Sequence, residues 1–392
     1  MAYPLPPGVS EAQLRDNIVV LDQFLYNLWN LGENLVFGWT PVAKGLSLLV
    51  APHPLLTEFV GGGGDAEEGR RRNRLLEELL GTPDHLPMPE LERMAVALGI
   101  TPLQIDLPFE PEQGLGLDLI AAIVARYGIR LVEDRAVILF DAVGFSLLSP
   151  LEQVVQLNSL SCSVNAAYAK LLDSEININF ARTTTGDGFY IWNRMRGIEA
   201  NVELYQLMQF ILADNALARE RALRPESVPQ LRACFHVGSH YEFYQSEGLN
   251  PTSFSYLVGQ VTIELARMIE RALPGQILVG KFNTLMRGET SSDIVRIDSV
   301  DFVERTRQPL KALNGLVLAG AAIDEIACYL TGKAEGGSRE FGISEFEIAD
   351  KHGRPHRVYN AKINIHRREG EPIFLGLREE DLPAFSARLI TA

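Results

Sequence analysis

The sequence predicts an α+β protein centred on a β-α-β-β-α-β run, with a mostly helical region before it and a helix-plus-strand extension after it. Three observations carry this. Ala136–Phe140 is a run of five apolar residues, the length of a buried strand, and it ends on Asp141 and the glycine-containing turn Ala142-Val143-Gly144-Phe145-Ser146. A helical stretch from Glu152 to Leu172 follows, with Val155, Leu157, Leu160 and Val164 on its apolar side. Ile176–Trp192 then reads as two strands joined at Asp187-Gly188, a strong hairpin signal. A second helix at Ile198–Leu223 and a strand at Leu231–Gly238 complete the β-α-β-β-α-β order of a ferredoxin-like split unit, and a helix at Val258–Ala272 and a strand at Gln276–Val279 follow it.

Before this run, residues 10 to 31 read as a helix capped by Ser10, with Gln13 completing a capping box. Leu14, Ile18, Leu21, Leu25 and Leu28 recur at steps of 4, 3, 4 and 3, the spacing of a core-facing amphipathic helix or of a short helix–helix seam. Gly61–Gly64 reads as a flexible loop and Asn73–Leu80 as a short helix. Pro89–Leu98 with the Gly99–Ile105 segment resembles the start of a helix-turn-helix, but its second helix is stopped by Pro108 and carries no basic residues, so a compact helical packing unit is expected. After the run, Gln308–Leu330 reads as mostly helical. Phe346–Ala349, Arg357–Ile365 and Pro372–Leu377 read as strands that either complete the central sheet or form an appendage. The expected divisions are residues 1–130, 131–290 and 291–392. Lys362 falls on the polar side of its strand with Asn360 and Asn364 and is a candidate nucleotide contact.

Apolar residues make up 46% of the 392, enough for a large core, and the net charge of −14 argues against a nucleic-acid backbone as partner. Cys162, Cys234 and Cys328 have neither disulfide nor zinc spacing. The N-terminus lacks the pattern of a signal peptide. The least polar stretch, Leu35–Leu56, holds Lys44, His53 and three prolines, which is poor for a membrane span. A cytoplasmic protein is expected.

The chemistry follows from placement. A strand end and the turn of the next hairpin fall side by side, so Asp141 and Asp187, 46 residues apart, are expected to converge. Two carboxylates at a sheet edge suit hard divalent cations. The turn Ala142–Ser146 leads towards a helix N-terminus, where free backbone N–H groups attract phosphate. The bland alternative is a capped turn plus a hairpin whose Asp serves only a left-handed turn conformation.

These stretches resemble the class III nucleotidyl cyclases. Phe140-Asp141-Ala142-Val143-Gly144-Phe145-Ser146 and Thr185-Gly186-Asp187-Gly188-Phe189 are similar to that family's two metal-aspartate motifs. Leu231–Gly238 is similar to its strand ending in His-x-Gly, and Ala266–Glu270 with Pro274-Gly275-Gln276-Ile277-Leu278-Val279 to its late helix and strand. The resemblance covers roughly residues 134 to 282. It implies a catalytic core that converts a nucleoside triphosphate to a 3′,5′-cyclic nucleotide and pyrophosphate, using two Mg²⁺ or Mn²⁺ ions held by Asp141 and Asp187. It also implies a head-to-tail homodimer with shared sites, in which Arg267 offsets charge on the α-phosphate.

The chain departs from the family at three positions. The base-reading lysine falls at Thr183, unless a register slip lets Arg182 replace it. The second base-reading position falls near Tyr256. The transition-state asparagine falls on Ile263, which cannot hydrogen-bond a ribose. Thr183 opposite an inward Tyr256 would favour a pyrimidine. A degenerate domain that binds nucleotide or only dimerises is the alternative to an active cyclase.

Overall fold

The computed structural model describes residues 5–391 apart from 62–65, 82–84, 175, 177, 247–252, 289–292, 311–315, 333–341 and 383–384. The chain divides into two units, residues 1–133 with 240–258 and residues 134–239 with 259–392.

The first unit holds α1 (Glu11–Trp29), β1 (Asn34–Val42), β2 (Gly45–Pro52), α2 (Leu55–Gly61), α3 (Ala66–Gly81), α4 (Met88–Leu98), β3 (Leu103–Asp106), α5 (Pro111–Gly114) and α6 (Leu117–Val124). The capping box forms: Gln13 N donates to Ser10 Oγ at 3.3 Å, and Ser10 N donates to Gln13 Oε1 at 3.1 Å. Leu21 and Leu25 are fully buried, and Leu14, Ile18 and Leu28 pack against the same cluster. The leucine seam is therefore spent on the unit's own core rather than on a partner helix. The apolar stretch from Leu35 is a hairpin, β1–β2, to which β3 adds a third antiparallel strand. That strand corrects the helical reading of residues 100–105. Gly99, at φ 68°, ends α4, and the next residues find edge hydrogen bonds on β2. The Gly61–Gly64 loop lies almost wholly outside the described residues.

The second unit contains the predicted run: β4 (Ile129–Ala142, entering from the first unit), α7 (Pro150–Asp173), β5 (Phe180–Thr184), β6 (Gly188–Asn193), α8 (Ile198–Arg221), β7 (Leu231–Ser246), β8 (Ser253–Val258), α9 (Gln260–Arg271) and β9 (Ile277–Gly280). The last residues of β7 and all of β8 pair within the first unit. The sheet order β7-β4-β6-β5 is the ferredoxin-like arrangement, with β4 against β6 and β6 against β5 antiparallel. The protein is thus α+β around a ferredoxin-like core.

The extension supplies β10 (Asn283–Arg287), β11 (Ile294–Asp298), α10 (Ser299–Leu310), β12 (Val317–Leu318), β13 (Ala321–Leu330), β14 (Glu345–Ala349), β15 (Pro355–Arg367), β16 (Ile373–Leu375) and β17 (Arg388–Thr391). β15 pairs antiparallel with β9, so extension strands join the core sheet. The expected helix over 308–330 gives way to β12 and β13, because β13 finds a long antiparallel partner in β15.

Strand alternation separates two faces. Ala136, Ile138, Phe140, Ile191, Ala233, Phe235, Ile277 and Val279 point into the cluster with α7 and α8. Tyr205 on α8 meets Phe235 edge-on at 4.8 Å between ring centroids. The opposite face carries Asp141, Gly188, Tyr190, Arg232, Cys234, His236 and Gly238. It is the face towards α9, since Gly238 lies against Val261 and the Tyr190 hydroxyl donates to Thr262 O at 3.3 Å.

On that face burial beside Phe282 pushes the His236 imidazole pKa down to about 4, against an opposing contribution from the Gly280 backbone. A group whose folded pKa is depressed stabilises the fold above its unfolded value of about 6.5 and loses that contribution as pH falls towards 4. Allowing for partial exposure of the ring, the loss is on the order of 2 kcal/mol. Urea unfolding between pH 7 and pH 4 should show this slope in the native chain and a flatter one in His236→Gln.

Candidate functional site

The site begins with a backbone register. Asp141 stands opposite Gly188 and Phe140 opposite Phe189, and Ala142 N donates to Asp187 O at 3.0 Å. A Cβ at position 188 would lie 1.8 Å from Phe140 O, so this approach requires glycine. The left-handed conformation in the hairpin falls on Gly186, at φ 102°, and not on Asp187. The turn therefore does not explain Asp187. Its Oδ1 accepts from Thr185 Oγ1 at 3.1 Å, and Gly186 N donates to Thr184 Oγ1 at 3.0 Å.

Asp187 lies beside Asp141 where β4 meets the β5–β6 turn, near enough for its charge to act on the Asp141 carboxyl. Asp141 is 7% exposed. Burial pushes its carboxyl above the ordinary range, the Arg232 guanidinium opposes that, and Asp187 reinforces it. Arg232 Nε donates to Asp141 Oδ2 at 2.8 Å, its Nη2 reaches the same oxygen, and its Nη1 donates to Ala272 O at 3.2 Å beyond the end of α9. Sequence reasoning missed Arg232 although it lies in the quoted Leu231–Gly238 strand. The signal was its parity. Once β7 lies beside β4, Arg232, Cys234 and His236 face the same side as Asp141.

The phosphate-binding turn differs from the expectation. Ala142 N is spent on Asp187 O and Val143 N on Gln230 O, at 3.0 and 2.9 Å. The turn enters a single 3-10 turn over Phe145–Leu147, and α7 starts only at Pro150. The Ser149–Glu152 capping box closes the helix terminus, with Ser149 N donating to Glu152 Oε2 at 2.8 Å. The amides of Gly144, Phe145 and Ser146 are the part of this turn left to meet an anion.

Thr183 pairs with Tyr190 and so shares the face of Asp141. Arg182 points the other way, with its guanidinium 5.3 Å from the Phe189 ring centre. The β5–β6 register thus keeps Arg182 from standing in for Thr183. Arg267 is not at the aspartates of its own chain. Its Nη1 donates to Glu270 Oε2 at 3.3 Å, and its Nε lies 3.7 Å from Asp350 Oδ2. Asp350 is a strong partner: N–H donation from Arg354 and His352 holds its carboxyl down at about 2. One turn earlier on α9, Ile263 is exposed.

Lys362 shares the polar side of β15 with Asn360 and Asn364, and that side is covered. It is 7% exposed, with Arg378, Asp381 and Glu380 as its charged neighbours, and burial lowers its pKa. Asn360 beside it is fully buried, accepting from Gln276 Nε2 at 3.1 Å and donating to Leu377 O at 2.9 Å. The polar side of β15 is therefore interior, because the chain after β16 comes back over it. Tyr256 belongs to the first unit. It is exposed there and stacks on Phe243, with centroids 5.4 Å apart and planes at 15°.

The donor set fits a hard divalent cation. Mg²⁺ commonly takes one or two carboxylates and completes its shell with water and substrate phosphate. Among the described residues no group of three His, Cys, Asp or Glu side chains converges. Nor is any helix among them long and apolar enough to cross a membrane.

No family model and no curated protein matches the chain. Solved structures do. The guanylate cyclase domain of RhGC from Catenaria anguillulae in complex with GTP is 12% identical over 61% of this chain and 100% of its own, with a TM-score of 0.33. The adenylyl cyclase CyaB from P. aeruginosa is 13% identical over 62% of this chain and 97% of its own, at 0.31. The guanylyl cyclase Cya2 is 12% identical over 59% and 92%, at 0.30. At these scores and identities the likeness decides nothing about chemistry. The strand order carries the fold.

Removing Arg232 would leave the Asp141 carboxylate largely buried without its cation. Arg232→Leu should cost about 2 kcal/mol, less than a fully buried pair because the guanidinium keeps some solvent. The double variant Arg232→Leu/Asp141→Asn should lose less than the sum of the single changes. Urea denaturation of the four proteins measures both quantities.

Proposed function

We propose that the chain is a nucleotidyl cyclase that takes a nucleoside triphosphate with Mg²⁺ or Mn²⁺ and forms a 3′,5′-cyclic nucleotide and pyrophosphate. The observation that carries this reading is the convergence of Asp141, Asp187 and Arg232 at the end of β4. Two carboxylates side by side need a cation between them, and a guanidinium in the same place supplies charge for phosphate oxygens. In the proposed reaction the ribose 3′ oxygen forms a bond to the α-phosphorus and loses its proton to solvent. The bond from the α-phosphorus to the bridging oxygen breaks, and pyrophosphate leaves with that electron pair. Two bound divalent ions would supply Lewis acidity and neutralise the triphosphate.

The chain's own residues have separable roles in this scheme. Asp141 and Asp187 would hold the metals. Arg232, bonded to Asp141 in the site, would supply positive charge for the phosphate oxygens. The amides of Gly144, Phe145 and Ser146 face the triphosphate, and Thr183 meets the base from the same face of the sheet. Arg267 serves the α-phosphate of a second copy's site in a head-to-tail homodimer. To do so it must exchange Asp350 and Glu270 for phosphate.

A second reading has its own support. Arg267 is held by a carboxylate that stays charged far below neutral pH, and Ile263 offers no hydrogen bond. Both features suit a domain that binds nucleotide and metal without cyclising it.

Incubation with each of ATP, GTP, CTP and UTP plus Mn²⁺ or Mg²⁺, read by mass spectrometry, separates the two. A cyclic product from native protein, reduced at least a hundredfold in Asp141→Ala and Asp187→Ala, is the expected result. Metal-dependent nucleotide binding without product favours the second reading, and neither binding nor product removes both. The shared site has its own check. Mixing Asp141→Ala with Arg267→Ala protein should restore part of the activity, because one mixed interface keeps both groups. No recovery in a mixture shown by native mass spectrometry to form heterodimers would place Arg267 outside the reaction.

A further inference from the structure

A cavity of about 550 Å³ opens in the first unit between the end of α1, the start of β1, the residue after β2 and the late part of β7. Trp29, Leu35, Phe243 and Tyr244 line it, with Leu31 and His53 at its mouth. It can be entered from solvent: Leu31 is 64% exposed, His53 is exposed, and Phe243 and Tyr244 are half-buried. Among the described residues no Asp, Glu, Lys or Arg lines it.

Its most telling residue is Leu31. α1 ends at Trp29, and the chain then turns through Asn30, Leu31 and Gly32 at φ 47°, 57° and 93°. Glycine adopts such values freely and asparagine readily. Leucine does so at a cost, because its Cβ crowds the following carbonyl oxygen. The turn is fixed just beyond, where the His53 backbone N–H donates to Glu33 O at 2.9 Å. Leu31 is therefore strained, and its exposed side chain gains little from burial in the free chain. A strained backbone that holds an apolar side chain at the mouth of a cavity is the pattern of a binding contact.

We infer that this cavity is a binding site for a neutral, ring-bearing small molecule with one hydrogen-bonding edge. The volume lies within the range of small-ligand pockets. Trp29, Phe243 and Tyr244 suit a ring system, and Leu31 closes on it from the mouth, gaining there the burial it lacks in the free chain. The His53 imidazole at the mouth meets the polar edge. An ionised ligand is excluded, because it would leave water with no opposite charge to receive it. The site stands apart from nucleotide binding in chemistry, since it offers neither a cation for phosphate nor a carboxylate for metal.

The test uses the full chain without nucleotide or metal, so its outcome is independent of the cyclase reading. N-phenyl-1-naphthylamine is the probe, because it is neutral, carries aromatic rings and one N–H, and brightens on leaving water. Fluorescence titration should show saturable binding to native protein, weakened at least about tenfold in Leu31→Asn. Asparagine suits the left-handed turn, so the same variant should unfold at a urea concentration no lower than the native chain's. Lost binding with retained stability separates a ligand contact from a packing residue. 8-Anilinonaphthalene-1-sulfonate gives a second comparison on unaltered protein. It is the same skeleton with a sulfonate added, and it should bind at least about tenfold more weakly. Absence of saturable binding of the neutral probe overturns the assignment. So does equal affinity in native protein and Leu31→Asn, a lower urea midpoint for that variant, or anion binding as tight as that of the neutral probe.

Discussion

The pairing of β4 with β6 at Asp141 and Gly188 is the constraint on which the site depends. It is tight because Gly188 has no side chain, and Phe140 O occupies the space one would fill. A shift of one residue would turn every side chain of β6 to the other face. Tyr190 and Trp192 would then point into the α7–α8 cluster, and Asp141 would lose the hairpin turn as its neighbour. The same register puts Thr183 on the Asp141 face and turns Arg182 away, through the next pairing outwards.

Around that register the charges are arranged in two separate balances. At the end of β4, two carboxylates and the Arg232 guanidinium share one place, and burial of Asp141 raises the cost of leaving it charged. On α9, Arg267 and Glu264 are engaged by the hairpin between β14 and β15. Arg267 meets Asp350, and Glu264 Oε2 lies 2.6 Å from His356 Nδ1, with His356 Nε2 a further 3.5 Å from Asp350. The extension therefore does more than widen the sheet. It holds the helix whose arginine the proposed reaction needs, which ties the order of α9 to the order of the C-terminal strands.

Much of this was legible in the chain. The apolar run before Asp141, the Ser10–Gln13 box, the helical periodicity after Ile198 and the strand at Ile277 are local signals, and each appears within a few residues of its expected place. The errors share a physical origin. Residues 103–106 and 321–330 carry no strong intrinsic preference, and each became a strand because an edge of another strand was free to pair with it. The burial of Lys362 was hidden for a related reason. Alternation identifies the polar side of β15, but it does not reveal that residues 377–381 fold back over that side.

Asp141 and Asp187 were found from sequence because a strand end and a hairpin turn are local features with fixed relations to their own strands. Their convergence follows from topology once the β-α-β-β order is given. Arg232 and Asp350 were not found, since each acts on a residue 91 or 83 positions away and only the sheet order and the β14–β15 hairpin bring them there. The amino-acid sequence by itself determined the elements of the ferredoxin-like core, their order and the placing of the acidic pair at a strand end and a hairpin turn. Tertiary structure alone decided which cation meets Asp141, which carboxylate holds Arg267 and which backbone amides remain for an anion, because those outcomes depend on distances between segments that share no local signal.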